Sequence, residues 1–327
     1  MRIAVTGSIA TDHLMVFPGR FADQLLTDRL DRLSLSFLAD RLEVRRGGVG
    51  ANIAYGLARL GLRPVLVGSA GAADFAEYDR SLRAAGVDTS SVRVSETLHT
   101  ARFVCTTDQD QNQIATFYAG AMTEARHIDL GAALGGTGTV DLVLVGADDP
   151  GAMLRHTAAA HRLGVDVAAD PSQQLARLDT GQTRDLVDGA RWLFTNEYEA
   201  ALLQERTGWS RAEILRRAGT WIITRGADGV RLLTRGTELS VPAVPTEAAT
   251  DPTGVGDAFR AGFLAGLARE ASVRRAAQLG CALATVVLES VGTQEYKLLP
   301  ADLLTRVEGT YGTAAARDIE PLLKGAS

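Results

Sequence analysis

The chain has 327 residues, of which 46% are hydrophobic and 22% are charged. A chain of this length and composition can bury a large core, so we expect one large domain with an appendage rather than a disordered protein. Its formal net charge of -5 argues against nucleic acid as a partner, because nucleic-acid binders usually carry a basic patch.

Apolar, strand-like runs alternate with helical stretches along most of the chain. The runs lie at residues 3–5, 65–68, 142–145, 165–169, 192–194 and 221–224. Such alternation predicts parallel strands joined by helices. The first run is too short for a signal-peptide core or a membrane span, so we expect a cytoplasmic protein with no membrane partner.

Two stretches interrupt this alternation. Residues 12–46 contain short apolar pieces without a clear crossover helix, and residues 100–118 are typical of a β-hairpin. The hairpin strands are predicted at 101–107 and 113–118, with a polar turn at 108–112 between them. Together the two stretches are predicted to form a small separate sheet.

Two glycine-containing segments follow the first strand. Residues 7–12 place Ser8 and Asp12 after strand 3–5, where polar groups of an open α/β sheet face a ligand; a solvated turn explains the spacing equally well. Residues 47–52 (Gly-Gly-Val-Gly-Ala-Asn) lead into a predicted helix. Gly48 would let a ligand approach the backbone, and Asn52 offers both a donor and an acceptor. The alternative is that the glycines serve only close helix packing.

Two segments in the second half of the chain follow predicted strands. Asn196 and Glu199 have capping-box spacing, so a helix start is a strong interpretation by itself. Residues 224–229 (Thr-Arg-Gly-Ala-Asp-Gly) contain glycines that permit a tight turn into another strand. Arg225 could meet phosphate charge in that turn, although a plain hairpin also explains the segment.

Residues 251–260 (Asp-Pro-Thr-Gly-Val-Gly-Asp-Ala-Phe-Arg) carry the strongest chemical signal. The proline and glycines precede an apolar-faced helix and therefore lie at its N-terminus, where free backbone N–H groups and the helix dipole favour a phosphate. A carboxylate beside such an anion site, at Asp257, suits a general base that takes a proton from an attacking hydroxyl. Helix capping by this aspartate is the alternative.

These segments, in this order, resemble the signatures of the ribokinase-like carbohydrate and nucleoside kinases. The resemblance covers nearly the whole chain and implies an α/β fold, with a three-layer α/β/α core at 1–11, 47–99 and 119–327 and a small inserted β-sheet lid at 12–46 and 100–118. It implies that Asp257 is the catalytic base and that Gly254, Val255 and Gly256 form the anion hole. Proline at position 252, where threonine is commoner, is a departure that touches no catalytic atom.

The resemblance also implies a role for each remaining segment. Asp12 would accept hydrogen bonds from two sugar hydroxyls, and Gly48 and Asn52 would bind the sugar. Asn196 would lie near the phosphates of ATP, and Glu199 would act on Mg2+ through water. The ATP-binding residues would be Gly256 together with Thr224, Arg225, Gly226, Ala227, Asp228 and Gly229. Potassium activates much of the family, but its ligands are not assigned in this sequence.

The hairpin gives a clue to the acceptor substrate. If its turn is centred on Asp110, Phe103 and Phe117 become cross-strand partners on one face. Two facing rings suit a flat base, whose stacking contributes about 1–3 kcal/mol, whereas a bare pentose has no π face. Gln173 and Gln174 follow strand 165–169, and their amides could bind the edge of a purine. A structural aromatic pair and solvent-facing glutamines are the alternatives.

Within the family, the combination of Ser8, Asp12, Ser36, the glycine loop and the two glutamines resembles the actinobacterial adenosine kinases. The resemblance implies an ATP-dependent adenosine kinase of purine salvage, which phosphorylates the 5′-hydroxyl of adenosine to give AMP. A ribokinase or another sugar kinase is the alternative enzyme. A non-catalytic nucleoside-binding sensor is disfavoured by the intact Asp257.

The lid is also expected to make the protein a homodimer. A small sheet above a pocket has an exposed edge and an outer face, which a two-fold contact between identical lids would cover. The apolar residues available for this contact are Phe17, Leu33, Leu35, Phe37, Val104 and Ile114. A monomer whose own loops cover the lid is the alternative. Cys105 and Cys281 are far apart in sequence, so neither a disulfide framework nor a zinc site is expected.

Overall fold

A nine-stranded sheet forms the centre of the computed structural model, which describes residues 1–24 and 35–327. Its strands are β1 (Ile3–Thr6), β4 (Val65–Gly71), β5 (Val92–Ser95), β8 (Leu142–Val145), β9 (Asp166–Ala169), β10 (Trp192–Asn196), β11 (Thr220–Thr224), β12 (Val230–Leu233) and β13 (Glu238–Val241). The spatial order is β13-β12-β11-β10-β9-β8-β1-β4-β5. Neighbouring strands are parallel from β11 to β5, whereas β12 pairs antiparallel with both β11 and β13.

Helices cover both faces of this sheet. They are α2 (Val49–Arg59), α3 (Ala76–Ala85), α4 (Leu130–Gly135), α5 (Pro150–Arg162), α6 (Thr180–Val187), α7 (Glu197–Thr207), α8 (Arg211–Arg217), α9 (Val255–Ala268), α10 (Val273–Leu288), α11 (Pro300–Tyr311) and α12 (Thr313–Ile319). A short helix, α1 (Phe21–Gln24), packs elsewhere, against Phe17 and Phe37. Along β8, Leu142 and Leu144 pack with α2, α3 and α9 to α12, whereas Val143 and Val145 pack with α4 to α6. This alternation follows from the two-residue period of a strand and gives the predicted three layers.

A second sheet of four strands lies apart from the first. It contains β2 (Ala10–Val16), β3 (Arg41–Gly47), β6 (Ala101–Thr107) and β7 (Gln113–Tyr118), in the order β3-β2-β6-β7. The hairpin β6–β7 has the bounds predicted from the sequence, and Phe103 is paired with Phe117 as expected. The prediction of an α/β core with a smaller separate sheet is therefore confirmed.

The sequence pattern missed two strands of the large sheet. β5 and β13 are four residues long, and each carries charged or polar residues because it lies at an edge of the sheet. Short edge strands lack the continuous apolar run that marks a buried parallel strand. Within the described ranges 1–24 and 35–327, no helix has the length and apolar character that a membrane crossing needs.

Candidate active site

A cavity of about 520 Å³ lies between the carboxyl ends of the central strands and the four-stranded sheet. This volume is in the range of small-ligand sites. Its lining includes ten residues predicted to belong to the site: Ser8, Asp12, Gly48, Asn52, Phe103, Phe117, Gln173, Gln174, Gly254 and Asp257. The fold thus brings together residues that are more than 200 positions apart in sequence.

Ser8 connects the end of β1 to the start of α2. Its Oγ accepts a hydrogen bond from the Val49 N–H at 3.0 Å, and its carbonyl accepts from the next two backbone N–H groups. Gly48 has φ 96°, and a Cβ at Gly50 would lie 2.7 Å from the backbone of Gly7. Close packing of the backbone therefore explains Gly50, while Gly48 also lines the cavity.

Asp12 lies on the cavity face of the small sheet. It pairs with Arg45 on β3 and with Phe103 on β6, and all three residues line the cavity. Burial and the nearby carboxylates of Asp251 and Glu295 raise the pKa of Asp12 to about 6, although Arg45 opposes this shift. At neutral pH the side chain is an acceptor-only carboxylate facing the cavity.

Asp257 lies in the first turn of α9, directly after the glycine turn. Gly254 has φ 75°, and α9 begins at Val255, so the turn exposes the helix N-terminus to the cavity. Asn52 donates a hydrogen bond from Nδ2 to Asp257 Oδ2 at 2.8 Å. Burial nevertheless raises the pKa of Asp257 to about 7. A pKa near the working pH suits a general base.

A buried ion pair supports this turn from behind. Arg260 donates to Asp170 Oδ1 at 2.6 Å and to the Gly256 carbonyl at 3.0 Å, and its guanidinium lies over the Phe194 ring. Asp170 is fully buried at the end of β9. The pair links β9 to the first turn of α9, so it fixes the turn relative to the sheet.

Part of the cavity wall consists of aromatic and amide side chains. Phe103 and Phe117 both line it, and Phe117 is 49% exposed. Gln174 is buried and its Oε1 has no hydrogen-bond partner, whereas Gln173 is exposed. Arg177 lines the same region, and the sequence analysis missed it because an exposed arginine after a short turn has no distinctive spacing.

Comparison with known proteins assigns the family. The family model for pfkB family carbohydrate kinases matches residues 9–301. The chain belongs to this family. A nucleoside kinase of Burkholderia thailandensis, solved in complex with inosine, is 34% identical with a TM-score of 0.83, and the match covers 95% of this chain and 98% of that one.

Two curated relatives extend the comparison. The nucleoside kinase of Methanothermobacter thermautotrophicus is 30% identical over 82% of this chain and 86% of its own length. The ribokinase of Bacillus subtilis is 26% identical over 89% of this chain and 94% of its own length. This pfkB-family protein is therefore a phosphotransferase of the sugar and nucleoside kinases, with an alcohol group as acceptor.

Some predicted site residues of this kinase lie outside the cavity lining. Asn196 and Glu199 form a capping box at the start of α7, with both hydrogen bonds at 2.7 Å. Arg225 pairs with Glu197 and Asp228, each at 3.1 Å, in the turn between β11 and β12. Ser36 is exposed. The nucleotide roles of the turn 224–229 and the substrate role of Ser36 stay predictions.

Proposed function

We propose that the protein is an ATP-dependent adenosine kinase that phosphorylates the 5′-hydroxyl of adenosine to give AMP. The observation that carries the proposal is the joint lining of one cavity by Asp257, Asp12 and the facing pair Phe103 and Phe117. A nucleoside kinase needs a general base for the attacking hydroxyl, a carboxylate that binds the ribose and aromatic rings that stack on the nucleobase. The similar Burkholderia thailandensis enzyme, solved with ADP and inosine, supports a purine nucleoside as acceptor.

The catalytic step follows from the position of Asp257. Its carboxylate takes the proton of the 5′-hydroxyl as the oxygen attacks the terminal phosphorus of ATP, and ADP leaves. The backbone N–H groups at the start of α9 stabilise the charge on the transferred phosphoryl group. Asp12 holds the ribose by accepting hydrogen bonds from its hydroxyls, which aligns the 5′-oxygen.

Magnesium fits this proposal as an ion held mainly by ATP and water. In the part of the chain that the structure describes, no group of three or more His, Cys, Asp or Glu side chains could hold a metal. Burial and the charge of Asp170 raise the pKa of Glu199, so its carboxylate lies where a nearby cation would be favourable. Glu199 would hold the ion through water, and the ion would neutralise charge on the phosphates.

An acceptor panel tests the proposal. Initial rates with ATP and Mg2+ are measured for adenosine, inosine, guanosine and ribose, with the phosphorylated products identified by chromatography. We expect the highest kcat/KM for adenosine. Inosine is the closest competitor, because the amide of Gln174 can present either its N–H2 or its carbonyl to a base. A higher kcat/KM for ribose would replace the proposal with a sugar kinase, and binding without product would indicate a sensor.

Replacing Asp12 with alanine is expected to weaken adenosine binding by about tenfold to a hundredfold, since a carboxylate accepting hydroxyl hydrogen bonds contributes roughly 1.5–3 kcal/mol. Binding of 2′,3′-dideoxyadenosine should change little, because this analogue lacks the 2′- and 3′-hydroxyls that Asp12 is proposed to bind. Calorimetric titration of both ligands against both proteins measures the difference. Equal losses for the two ligands would remove Asp12 from the ribose site.

The lid is proposed to form a homodimer through its outer face. Register places His13, Val44 and Val104 on the face opposite to Asp12 and Phe103. Leu42, Val44, Ile114 and Tyr118 on this face are exposed. These residues lie on the outer strands β3 and β7, with Val104 on β6 between them. Exposed apolar side chains on one sheet face favour an interaction surface.

Part of the residue set expected at this contact was wrong. Phe17 is buried, and its ring packs against Phe21 and Phe37 within the lid. These rings stabilise one subunit instead of facing a partner, because the segment after β2 packs against the turn between β6 and β7, where the Phe21 N–H donates to Asp108 at 2.9 Å. Leu35 is exposed, Leu33 lies outside the described residues, and Val104 and Ile114 remain on the proposed surface.

Sedimentation at micromolar concentration is expected to give twice the chain mass of 34.6 kDa. Val104→Asp should shift the protein to a monomer and raise KM for adenosine, because the same sheet covers the cavity. Val94→Asp is the matched control, since Val94 is an exposed valine on β5, at the edge of the large sheet. A wild-type monomer, or equal effects of the two variants, would contradict the lid dimer.

A further inference from the structure

Asn52 belongs to a buried chain of hydrogen bonds that runs from the Gly47 carbonyl to Asp257. The Tyr78 hydroxyl donates to the Gly47 carbonyl at 2.8 Å. Gln294 donates from Nε2 to the Tyr78 oxygen at 2.5 Å and to Asn52 Oδ1 at 2.9 Å. Asn52 then donates from Nδ2 to Asp257. Tyr78 and Gln294 are only 3% and 6% exposed, so water does not compete for these groups.

The Gly47 carbonyl sets the direction of every bond in this chain. A carbonyl can only accept, so Tyr78 must donate its single proton to it and can only accept from Gln294. Gln294 must therefore present its N–H2 group to Tyr78, and the second proton of that group is directed to Asn52. Asn52 consequently turns its oxygen to Gln294 and its N–H2 group to Asp257.

Thr293 contacts the same oxygen of Asn52 but does not fix its orientation. Its hydroxyl is 2.9 Å from Asn52 Oδ1 and 2.9 Å from the Arg46 carbonyl. With one proton and two lone pairs, it can donate to Asn52, or it can donate to Arg46 and accept from an inverted Asn52 amide. Of the two residues that contact Asn52 Oδ1 here, Gln294 distinguishes the two orientations of the amide and Thr293 does not.

We propose that Gln294 and Tyr78 are positioning residues that hold the Asn52 amide with its N–H2 group toward Asp257. The inference rests on the proposed role of Asp257 as base. Without this constraint the Asn52 amide can invert and present its oxygen to the carboxyl. An oxygen facing Asp257 favours the protonated acid, which cannot take a proton from the acceptor hydroxyl.

The charged groups around Asp257 show why one hydrogen bond matters. Burial and the charges of Asp170 and Glu199 raise its pKa, and the Asn52 hydrogen bond and the charge of Arg260 oppose this, so that the pKa is about 7. Arg260 is shared with Asp170. The Asn52 hydrogen bond is therefore the contact that lowers the pKa of Asp257 and whose direction depends on the neighbouring amide of Gln294.

The Asp257 carboxyl is titrated directly by 13C NMR of aspartate-labelled protein, and its signal is assigned by its absence in Asp257→Asn. Gln294→Met, which keeps the side-chain length but neither donates nor accepts strongly, is expected to move the midpoint up by about one pH unit. The acid limb of kcat for adenosine should move by the same amount. Tyr78→Phe should move the NMR midpoint and the acid limb in the same direction by a smaller amount, because the Gln294 amide can then adopt either orientation.

Thr293→Val is the matched control, since it removes a hydroxyl that contacts Asn52 Oδ1 but does not fix the orientation of the Asn52 amide. Its midpoint should stay at the wild-type value. An unmoved midpoint in folded Gln294→Met, or an equal shift in Thr293→Val, would overturn the proposal. If Gln294→Met does not fold, Tyr78→Phe decides alone, with no shift counting against the proposal. Activity retained by Asp257→Asn would refute the base role separately, because the NMR midpoint needs no turnover.

Discussion

Replacing Asp257 with asparagine is expected to lower kcat for adenosine by about 10²- to 10⁴-fold, the usual contribution of a positioned general base. Asparagine keeps the shape of the side chain but cannot take a proton from the 5′-hydroxyl. Adenosine affinity should remain close to that of the wild type, because the proposed ribose and base contacts lie at Asp12 and the two phenylalanines. Steady-state kinetics with calorimetry separates the two effects.

The same carboxyl sets the expected pH dependence. Burial raises the pKa of Asp257 to about 7, so the fraction of active carboxylate falls as the pH drops through 7. Wild-type kcat should therefore decline about tenfold per pH unit well below that value. The residual activity of Asp257→Asn should lack this limb. Turnover near the wild-type level in Asp257→Asn, or a limb that survives the substitution, would show that another group is the base.

Local sequence patterns predicted most strands of the large sheet, the hairpin and the two glycine turns. The hairpin register could be predicted because it depends on one local quantity, the centre of the turn, and on the two-residue period of side chains. The left-handed φ of Gly254 likewise depends on its own segment. The position of Asp257 after this turn followed directly.

The buried contacts that hold the site residues in place could not be predicted from local patterns. Gln294 lies 216 residues from Tyr78, and Asp170 lies 90 residues from Arg260. Neither pair has a local spacing that marks it, and a polar residue in a predicted helix or loop is usually solvent-exposed. Their burial is decided by how α3, α9 and the segment after α10 pack together. The local patterns of a single sequence do not specify which of these distant residues come into contact.

Arg260→Met is expected to lower the free energy of unfolding by about 3–5 kcal/mol, the usual cost of breaking a buried ion pair by removing one partner. The Asp170 carboxylate is fully buried and would lose its counter-charge. Methionine fills much of the space beside Phe194, so lost packing is a smaller part of the effect. Urea unfolding followed by circular dichroism measures the change.

The double variant Asp170→Asn, Arg260→Met separates charge from packing. It removes both charges while keeping an oxygen for the Ser172 hydroxyl, which now donates to Asp170 at 2.9 Å. Most of the lost stability should return, because the penalty comes from the uncompensated carboxylate and not from the missing attraction. Arg211→Met is the surface control, since its pair with Glu238 is exposed on both sides and should contribute little. If the double variant is as unstable as Arg260→Met, the arginine acts mainly through packing and its bond to the Gly256 carbonyl. In that case kcat should fall in both variants, because the turn that presents the helix N-terminus loses its support.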